Sequence, residues 1–307
     1  MNKLLEAILV DGAFVIDNSN FEYITTCPRS ALYQILRKRK GAGHKAALNF
    51  GGAVHAGLEV RYKSPEGLSY VTPQTYAKQN EALMAYVERN PIGDDDFRTP
   101  TFASEVLGAY NNQHVSEPFT TLLDSNNNPL VELSFAVPIG EVNGIPCVWA
   151  GKIDVAIMWE NRYWVLDHKT TSILGGTYFN QFYNSNQMIG YCWALQHLIN
   201  QKVAGALINV LAIRRPTKTG KSMEFVRQRF EYPSSRIEEW QDNTLSIIEQ
   251  FFHMCDKNEF PMHSQWCVGK FGMCPYFDVC TVPAEQREMM LMSGLYEDIT
   301  WSPLKED

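Results

Sequence analysis

Three ionisable side chains stand where strand-forming sequence has no use for charge. In GKIDVAIMWENRYWVLDHKTT, residues 151–171, Asp154, Asp167 and Lys169 interrupt runs of β-branched and aromatic residues. Residues two apart in a strand share a face, so Asp167 and Lys169 point one way and His168 the other. If a two-residue turn centred on Glu160 and Asn161 joins the strands, position 154 falls opposite position 167 and the three charged groups converge. A slip of one residue would send Asp154 to the other face. Neighbouring carboxylates repel unless a cation lies between them, and a hard divalent ion with oxygen ligands, Mg2+ or Mn2+, meets that need. An ion so held bridges a phosphodiester, acidifies a bound water and stabilises the leaving oxygen, while a lysine orients the water or stabilises the transition state. That chemistry is phosphodiester hydrolysis. The same residues also read as a structural salt bridge at a strand end, Lys169 with either acid.

Other elements must carry this hairpin. TCPRSALYQILRKRK, residues 26–40, places Pro28 near a helix start and apolar residues at helical spacing, with a basic outer face and Cys27 at its mouth. NFGGAVHAGLEVRYK, residues 49–63, predicts a Gly-Gly turn and then a helix in which Val54, Leu58 and Tyr62 recur four apart beside His55. Residues 64–130 carry expected helices near 75–88 and 101–110 and the turn-rich DSNNNP, without evident chemistry. From Leu130 three strands form a meander; SNQMIGYCWALQHLINQ then reads as a helix, GALINVLAIRR and SMEFVRQRFEY as strands, and the segment from Ser234 as a long serine-capped helix. This order predicts an α/β or α+β fold with a mixed central sheet flanked by helices. With no internal repeat or low-complexity linker, one domain over 1–307 is expected: a core at 21–282, a helical insertion at 64–130 and a tail at 283–307.

Composition bounds the alternatives. A chain of 307 residues, 45% hydrophobic and 20% charged, buries a substantial core and is not intrinsically disordered. No apolar run approaches the ~20 residues that span a bilayer, and Glu6 and Asp11 interrupt the N-terminal apolar stretch, so no export signal is read. A cytoplasmic location without a membrane partner is expected. The net charge of −7 disfavours a wholly basic nucleic-acid binder, yet it hides RKRK at 37–40 and RRPTKTGK at 214–221, each either a solvated face or a hold on a polyanion. Seven cysteines in a reducing compartment read as thiols or metal ligands. Cys147, Cys192 and Cys255 lie among bulky apolar residues and read as small hydrophobes. WCVGKFGMCPYFDVC sets Cys267, Cys274 and Cys280 among turn-permitting Gly269, Gly272 and Pro275. The spacing is looser than a C-x-x-C zinc knuckle, which weighs against zinc and leaves iron–sulfur, zinc and no metal open.

Four signals, in order, resemble the PD-(D/E)XK nuclease superfamily, and within it the RecB-like branch of AddB-type, CRISPR-associated and phage-type iron–sulfur exonucleases. They are FGGAVHAGLE with His55, G-x-x-D with Gly151 and Asp154, acid-x-lysine with Asp167 and Lys169, and Q-x-x-x-Y with Gln187 and Tyr191. The resemblance spans roughly 21–282. It implies a restriction-endonuclease-like core in which His55, Asp154, Asp167 and the backbone carbonyl of His168 ligate Mg2+ or Mn2+, Asp154, Asp167 and Lys169 are catalytic, and Gln187 and Tyr191 contact DNA. It further implies that Cys27 joins Cys267, Cys274 and Cys280 around a structural [4Fe-4S] cluster stapling a helical subdomain made from the N- and C-terminal segments. Asp167 stands where many members carry glutamate, a shorter reach that leaves the mechanism intact, and Glu132 resembles an upstream acid of the family. The implied activity is exonucleolytic cleavage of single-stranded DNA or duplex ends in replication, recombination or repair, in a bacterial or phage-infected cytoplasm. No GxxxxGK[ST] motor motif is present, so unwinding would fall to a helicase or recombination partner. A catalytically silent DNA-binding scaffold and a site-specific endonuclease of the same fold are the rival readings.

Overall fold

The computed structural model describes residues 3–42, 46–64, 68, 70–93, 97–218, 220–269 and 272–299. Thr219 of the second basic run, positions 65–67, 69 and 94–96 of the expected insertion, and tail residues 300–307 lie outside the described residues. The main elements in chain order are β1 (Phe14–Asp17), α1 (Asn18–Thr26), β2 (Arg39–Gly41), α2 (Ala46–Lys63), α3 (Pro73–Arg89), α4 (Pro100–Gln113), β3 (Thr120–Thr121), β4 (Val131–Val142), β5 (Ile145–Trp159) and β6 (Arg162–Thr171). There follow α5 (Asn186–Ile199), β7 (Val203–Ile213), β8 (Met223–Glu231), α6 (Ser234–Lys257), β9 (Val268–Gly269), β10 (Gly272–Met273), α7 (Phe277–Thr281) and β11 (Tyr296–Asp298). The chain divides into two compact units, one of Met1–His44, Phe135–Gly151 and Glu238–Asp307, the other of Lys45–Ser134 and Lys152–Ile237.

The second unit holds the acidic hairpin. Its mixed strands run in the order β5-β6-β7-β8. β6 pairs antiparallel with β5, parallel with β7, and β7 antiparallel with β8. The parallel step needs a crossover, and α5 supplies it. All eleven residues of β7 are buried, as a Val/Ile/Leu-rich strand covered on both faces must be. Glu160 and Asn161 both have left-handed backbone, φ 51° and 57°, the conformation that a tight two-residue hairpin demands. The pairing steps from Trp159↔Arg162 to Val155↔Leu166 and ends there, one residue short of Asp154 and Asp167, in the register that sets position 154 towards position 167. On this frame Phe50, Val54 and Leu58 of α2, Leu83 of α3 and Val106 and Leu107 of α4 share one core with Val155, Trp164, Leu166 and Leu211.

The Gly-Gly pair departs from expectation. Gly51 and Gly52 lie inside α2 rather than in a turn before it. A Cβ on Gly51 would sit 2.6 Å from Thr170 Oγ1, and one on Gly52 2.1 Å from the Tyr86 hydroxyl. Glycine serves here for close approach of the helix to its neighbours, which offsets its poor helix propensity.

In the first unit β1 pairs parallel with the opening half of β5, from Phe14↔Cys147 to Asp17↔Ala150. Asp17 caps α1 by accepting from the Asn20 N–H at 3.0 Å. Phe14 packs on Phe251 and Phe252, and Phe21 and Trp240 pack edge-on to Trp149. A smaller cluster joins Tyr33, Tyr276, Val279, Leu291 and Tyr296. The helix expected over 26–40 is shorter: after Pro28–Ala31 a π-helical turn, Leu32–Leu36, ends it, and Arg39 and Lys40 enter β2, antiparallel to β11. Acids stand against most of the basic run. Arg37 faces Glu288 at 3.5 Å, Lys40 faces Glu297 at 3.4 Å, and buried Arg39 pairs with Asp298 at 2.5 Å. Three of its four cations meet acids of the C-terminal segment. Among the described residues no helix is long and apolar enough to cross a membrane.

Candidate active site

Helix α2 delivers the first imidazole. Gly51 lets the helix close on Thr170, next to Lys169 in β6, and His55, one turn further along, comes to 3.8 Å from Asp154 Oδ2 through Nδ1. The same Asp154 oxygen accepts the backbone N–H of His168 at 2.7 Å. Lys169 Nζ lies 2.8 Å from Asp167 Oδ2, a close ion pair. Nζ also donates to Gln187 Oε1 at 2.9 Å, and Gln187 Nε2 donates to the Tyr191 hydroxyl at 3.2 Å. Gln187 holds its place in the first turn of α5 because Ser185 caps that helix, accepting from the Met188 N–H at 3.3 Å.

Burial dominates the electrostatics. It pushes the Asp167 carboxyl up to about 6, against the pull of Lys169 and with the repulsion of Asp154. Burial raises Asp154 too, opposed by Lys169 and the His168 N–H. For Lys169 burial acts downward, but Asp167 and Asp154 outweigh it and hold the ammonium above the usual lysine range. Burial lowers His55 to about 4, so its ring is neutral and able to ligate at neutral pH. Burial also raises Tyr191 to about 12. Glu132 stands close by. Its backbone is left-handed, φ 51°, it pairs with Lys152 at 3.7 Å, and burial together with Asp154 raises it to about 7.

His168 turns its side chain to a network that the sequence did not reveal. Asn209 donates through Nδ2 to His168 Nδ1 at 2.7 Å and to the Tyr110 hydroxyl at 2.9 Å. Arg227 Nε donates to Asn209 Oδ1 at 3.0 Å, which fixes the amide's orientation and leaves His168 with its proton on Nε2. Behind them the buried Glu117 carboxylate meets Arg227 at 2.5 Å and Arg61 at 3.1 Å, and Tyr62 donates to it at 2.9 Å. Of this network the sequence signalled Tyr62 alone, which recurs with Val54 and Leu58 on the apolar face of α2.

The donor set of His55, Asp154, Asp167 and the His168 carbonyl is hard oxygen and imidazole nitrogen, the chemistry that Mg2+ and Mn2+ accept. The buried Asp167 carboxylate, whose Oδ2 faces the Lys169 ammonium, keeps lone pairs to spare for a cation. The side chains stand as two pairs, His55 with Asp154 and Asp167 with Lys169. Among the described residues no three His, Cys, Asp or Glu side chains are gathered to hold a metal ion.

The cysteines divide as their settings predict: Cys147, Cys192 and Cys255 are fully buried. Cys27 is buried, while Cys267, Cys274 and Cys280 are half-buried. Cys27 Sγ accepts the His263 N–H at 3.4 Å, and the Cys274 N–H donates to the Cys267 carbonyl at 2.9 Å. Burial raises the Cys274 and Cys280 thiols, opposed by the Tyr276 backbone and by Arg29 respectively, and among the described residues the thiols are not gathered into a metal-binding group.

The solved structures include one of a candidate exonuclease from Eubacterium rectale that covers 91% of this chain and 93% of its own, with a TM-score of 0.53 at 11% identity. That likeness speaks to the fold. A second, the crystal structure of SSO0001, covers 67% of this chain and 74% of its own at 12% identity, and its TM-score of 0.28 carries no argument. No curated protein matches the chain. The family model for the PD-(D/E)XK nuclease superfamily matches residues 18–281, a span that includes every acid, imidazole and lysine of the hairpin site. This chain belongs to the PD-(D/E)XK nuclease superfamily.

Proposed function

We propose that this chain is a divalent-metal-dependent DNA exonuclease acting on single strands or duplex ends, and that 1–307 form one nuclease domain. The observation that carries the reading is the pair of acids just beyond the last rung of the β5–β6 hairpin, with His55 against Asp154 and Lys169 against Asp167, in a chain of a nuclease superfamily. His55, Asp154, Asp167 and the backbone carbonyl of His168 would hold Mg2+ or Mn2+. Such an ion supplies a polarised phosphodiester and an acidified water. The chain's own groups do the rest. The His168 N–H keeps the Asp154 carboxylate in one orientation. Lys169, kept protonated by both acids, is the cation available to charge developing on the phosphoryl oxygens. Gln187, bridged between Lys169 and Tyr191, would set the lysine's position and, with Tyr191, contact DNA beside the scissile bond.

The first unit's four cysteines, Cys27, Cys267, Cys274 and Cys280, would hold a structural [4Fe-4S] cluster. The packing of Cys274 and Cys280 against one small core and the His263 N–H on Cys27 support this reading, because hydrogen bonds to sulfur accompany such ligation. A helicase or recombination protein would supply unwinding.

The test is digestion of 5′- and 3′-labelled single strands, blunt duplex and circular single strands with Mg2+ or Mn2+, wild type beside Lys169→Ala. Stepwise shortening of linear strands by wild type, reduced at least 10²-fold in the variant, is expected. Cleavage of circles would make the chain an endonuclease. DNA binding without cleavage in either protein would make it a scaffold.

A further inference from the structure

The segment from Thr170 to Asn186, which joins the strand of Asp167 and Lys169 to the helix of Gln187, contains no charged residue. It holds four aromatic rings in a turn fixed by its own hydrogen bonds. Tyr178 N–H donates to Gly175, Asn180 to Thr177 and Tyr183 to Asn180 at 3.0–3.3 Å, and Gln181 Nε2 returns to the Tyr178 carbonyl at 2.8 Å. Phe182 anchors the turn: it is 5% exposed, 5.8 Å from the Phe230 ring, and its carbonyl accepts from the Tyr232 hydroxyl. On that base Tyr178 and Phe179 are half-buried, and Tyr183, braced edge-on against Phe230 at 5.0 Å, is 57% exposed. The turn is tied to the candidate active site at both ends, for Lys169 immediately precedes the segment, Gln187 immediately follows it, and Lys169 Nζ donates to Gln187 Oε1 at 2.9 Å.

A segment meant for phosphates would supply cations, and this one supplies none of its own; Lys169, which precedes it, and Arg236, which donates to Asn184 Oδ1, stand at its edges. Exposed aromatic rings among uncharged amides (Asn180, Gln181, Asn184) offer instead what an unpaired nucleobase seeks: a π-face to stack on and donors and acceptors at its edge. We propose that Tyr183, with Tyr178 and Phe179 beside it, is a stacking platform for the unpaired bases of a DNA single strand whose backbone enters the hydrolytic site. The proposal rests on the nuclease reading and narrows its substrate to a strand with splayed bases.

The test is fluorescence anisotropy of a labelled single-stranded oligonucleotide, and of one in which abasic residues replace its nucleotides, with Ca2+ in place of Mg2+. Wild type, Tyr183→Ala and Tyr183→Trp are compared. Tyr183→Ala binds the normal strand about five-fold or more weakly, Tyr183→Trp restores binding, and all three bind the abasic strand alike. Equal binding of the normal strand by Tyr183→Ala and wild type overturns the platform, as does an equal loss on the abasic strand. A dimer that becomes a monomer in Tyr183→Ala, with DNA binding intact, makes a second copy of the chain the occupant and overturns it too. If wild type cuts DNA in Mg2+ while any of these holds, the nuclease reading stands without the platform; if wild type neither binds nor cuts DNA, both fall.

Discussion

The backbone N–H of His168 donates to Asp154 Oδ2 at 2.7 Å, so the residue between the second acid and the lysine fixes the first acid. The carboxylate is needed for two separate things, its charge and its acceptor oxygen, and substitutions can separate them. Asp154→Asn keeps an oxygen for the N–H and removes the charge. Asp154→Ala leaves a buried donor unpaired, at a cost of about 1–3 kcal/mol. We expect Asp154→Asn to melt close to wild type yet lose Mn2+ binding by calorimetry, and Asp154→Ala to lose both binding and stability.

Metal affinity should depend on pH through Asp167 rather than His55. A ligand must be deprotonated to bind. Asp167, raised by burial to about 6, is ionised above that pH and protonated below it, while His55, lowered by burial to about 4, stays neutral throughout the same window. The affinity for Mn2+ should therefore hold level from pH 8 down to near 6 and fall about ten-fold per unit below it. Titration calorimetry between pH 5 and 8 reads this directly. Asp167→Asn should bind more weakly and lose the break near 6; a break that persists in the variant would move the titrating group elsewhere.

Glu117 has the largest predicted effect on stability. Its side chain has no exposure and meets two guanidinium groups, Arg61 with none and Arg227 with 14%. Removing one charge from a buried set leaves the others uncompensated, which costs about 3–5 kcal/mol. Glu117→Gln should lower the unfolding free energy by that amount, read as a lower urea midpoint at an unchanged m-value. Because Arg227 also holds Asn209, and Asn209 holds His168, the same variant should change the His168 imidazole signals in NMR.

This network marks the limit of what the sequence made legible. The hairpin was readable because alternation, the Glu160-Asn161 turn and the register constrain one another within twenty or so residues, and β7 because an unbroken apolar run admits few other fates. Arg61, Glu117 and Arg227 are far apart in sequence and individually look like solvated charges; only the packing of α2 and α4 on the sheet makes them buried partners. Gly51 and Gly52 misled for the same reason. A glycine pair signals a turn unless a neighbour, here Thr170 and Tyr86, needs the space that a Cβ would fill. The RKRK run read as a basic face because its acids, Glu288, Glu297 and Asp298, stand some 250 residues away.

The cysteines make the last prediction, and it is independent of the hairpin. Cys274 and Cys280 flank the small core of Tyr33, Tyr276 and Val279, so a group ligated there would tie that core to Cys27 and close a long loop, removing chain entropy from the unfolded state. Anaerobically purified protein should be brown, with a broad absorbance on the order of 400 nm typical of thiolate-bound iron. Cys274→Ala should bleach it and lower the melting temperature, whereas Cys192→Ala, at a fully buried position outside the set, should leave the colour unchanged. Colourless wild type with one zinc per chain would replace iron by zinc at the same four thiols; colourless and metal-free protein that melts like Cys274→Ala would leave the cysteines as ordinary side chains.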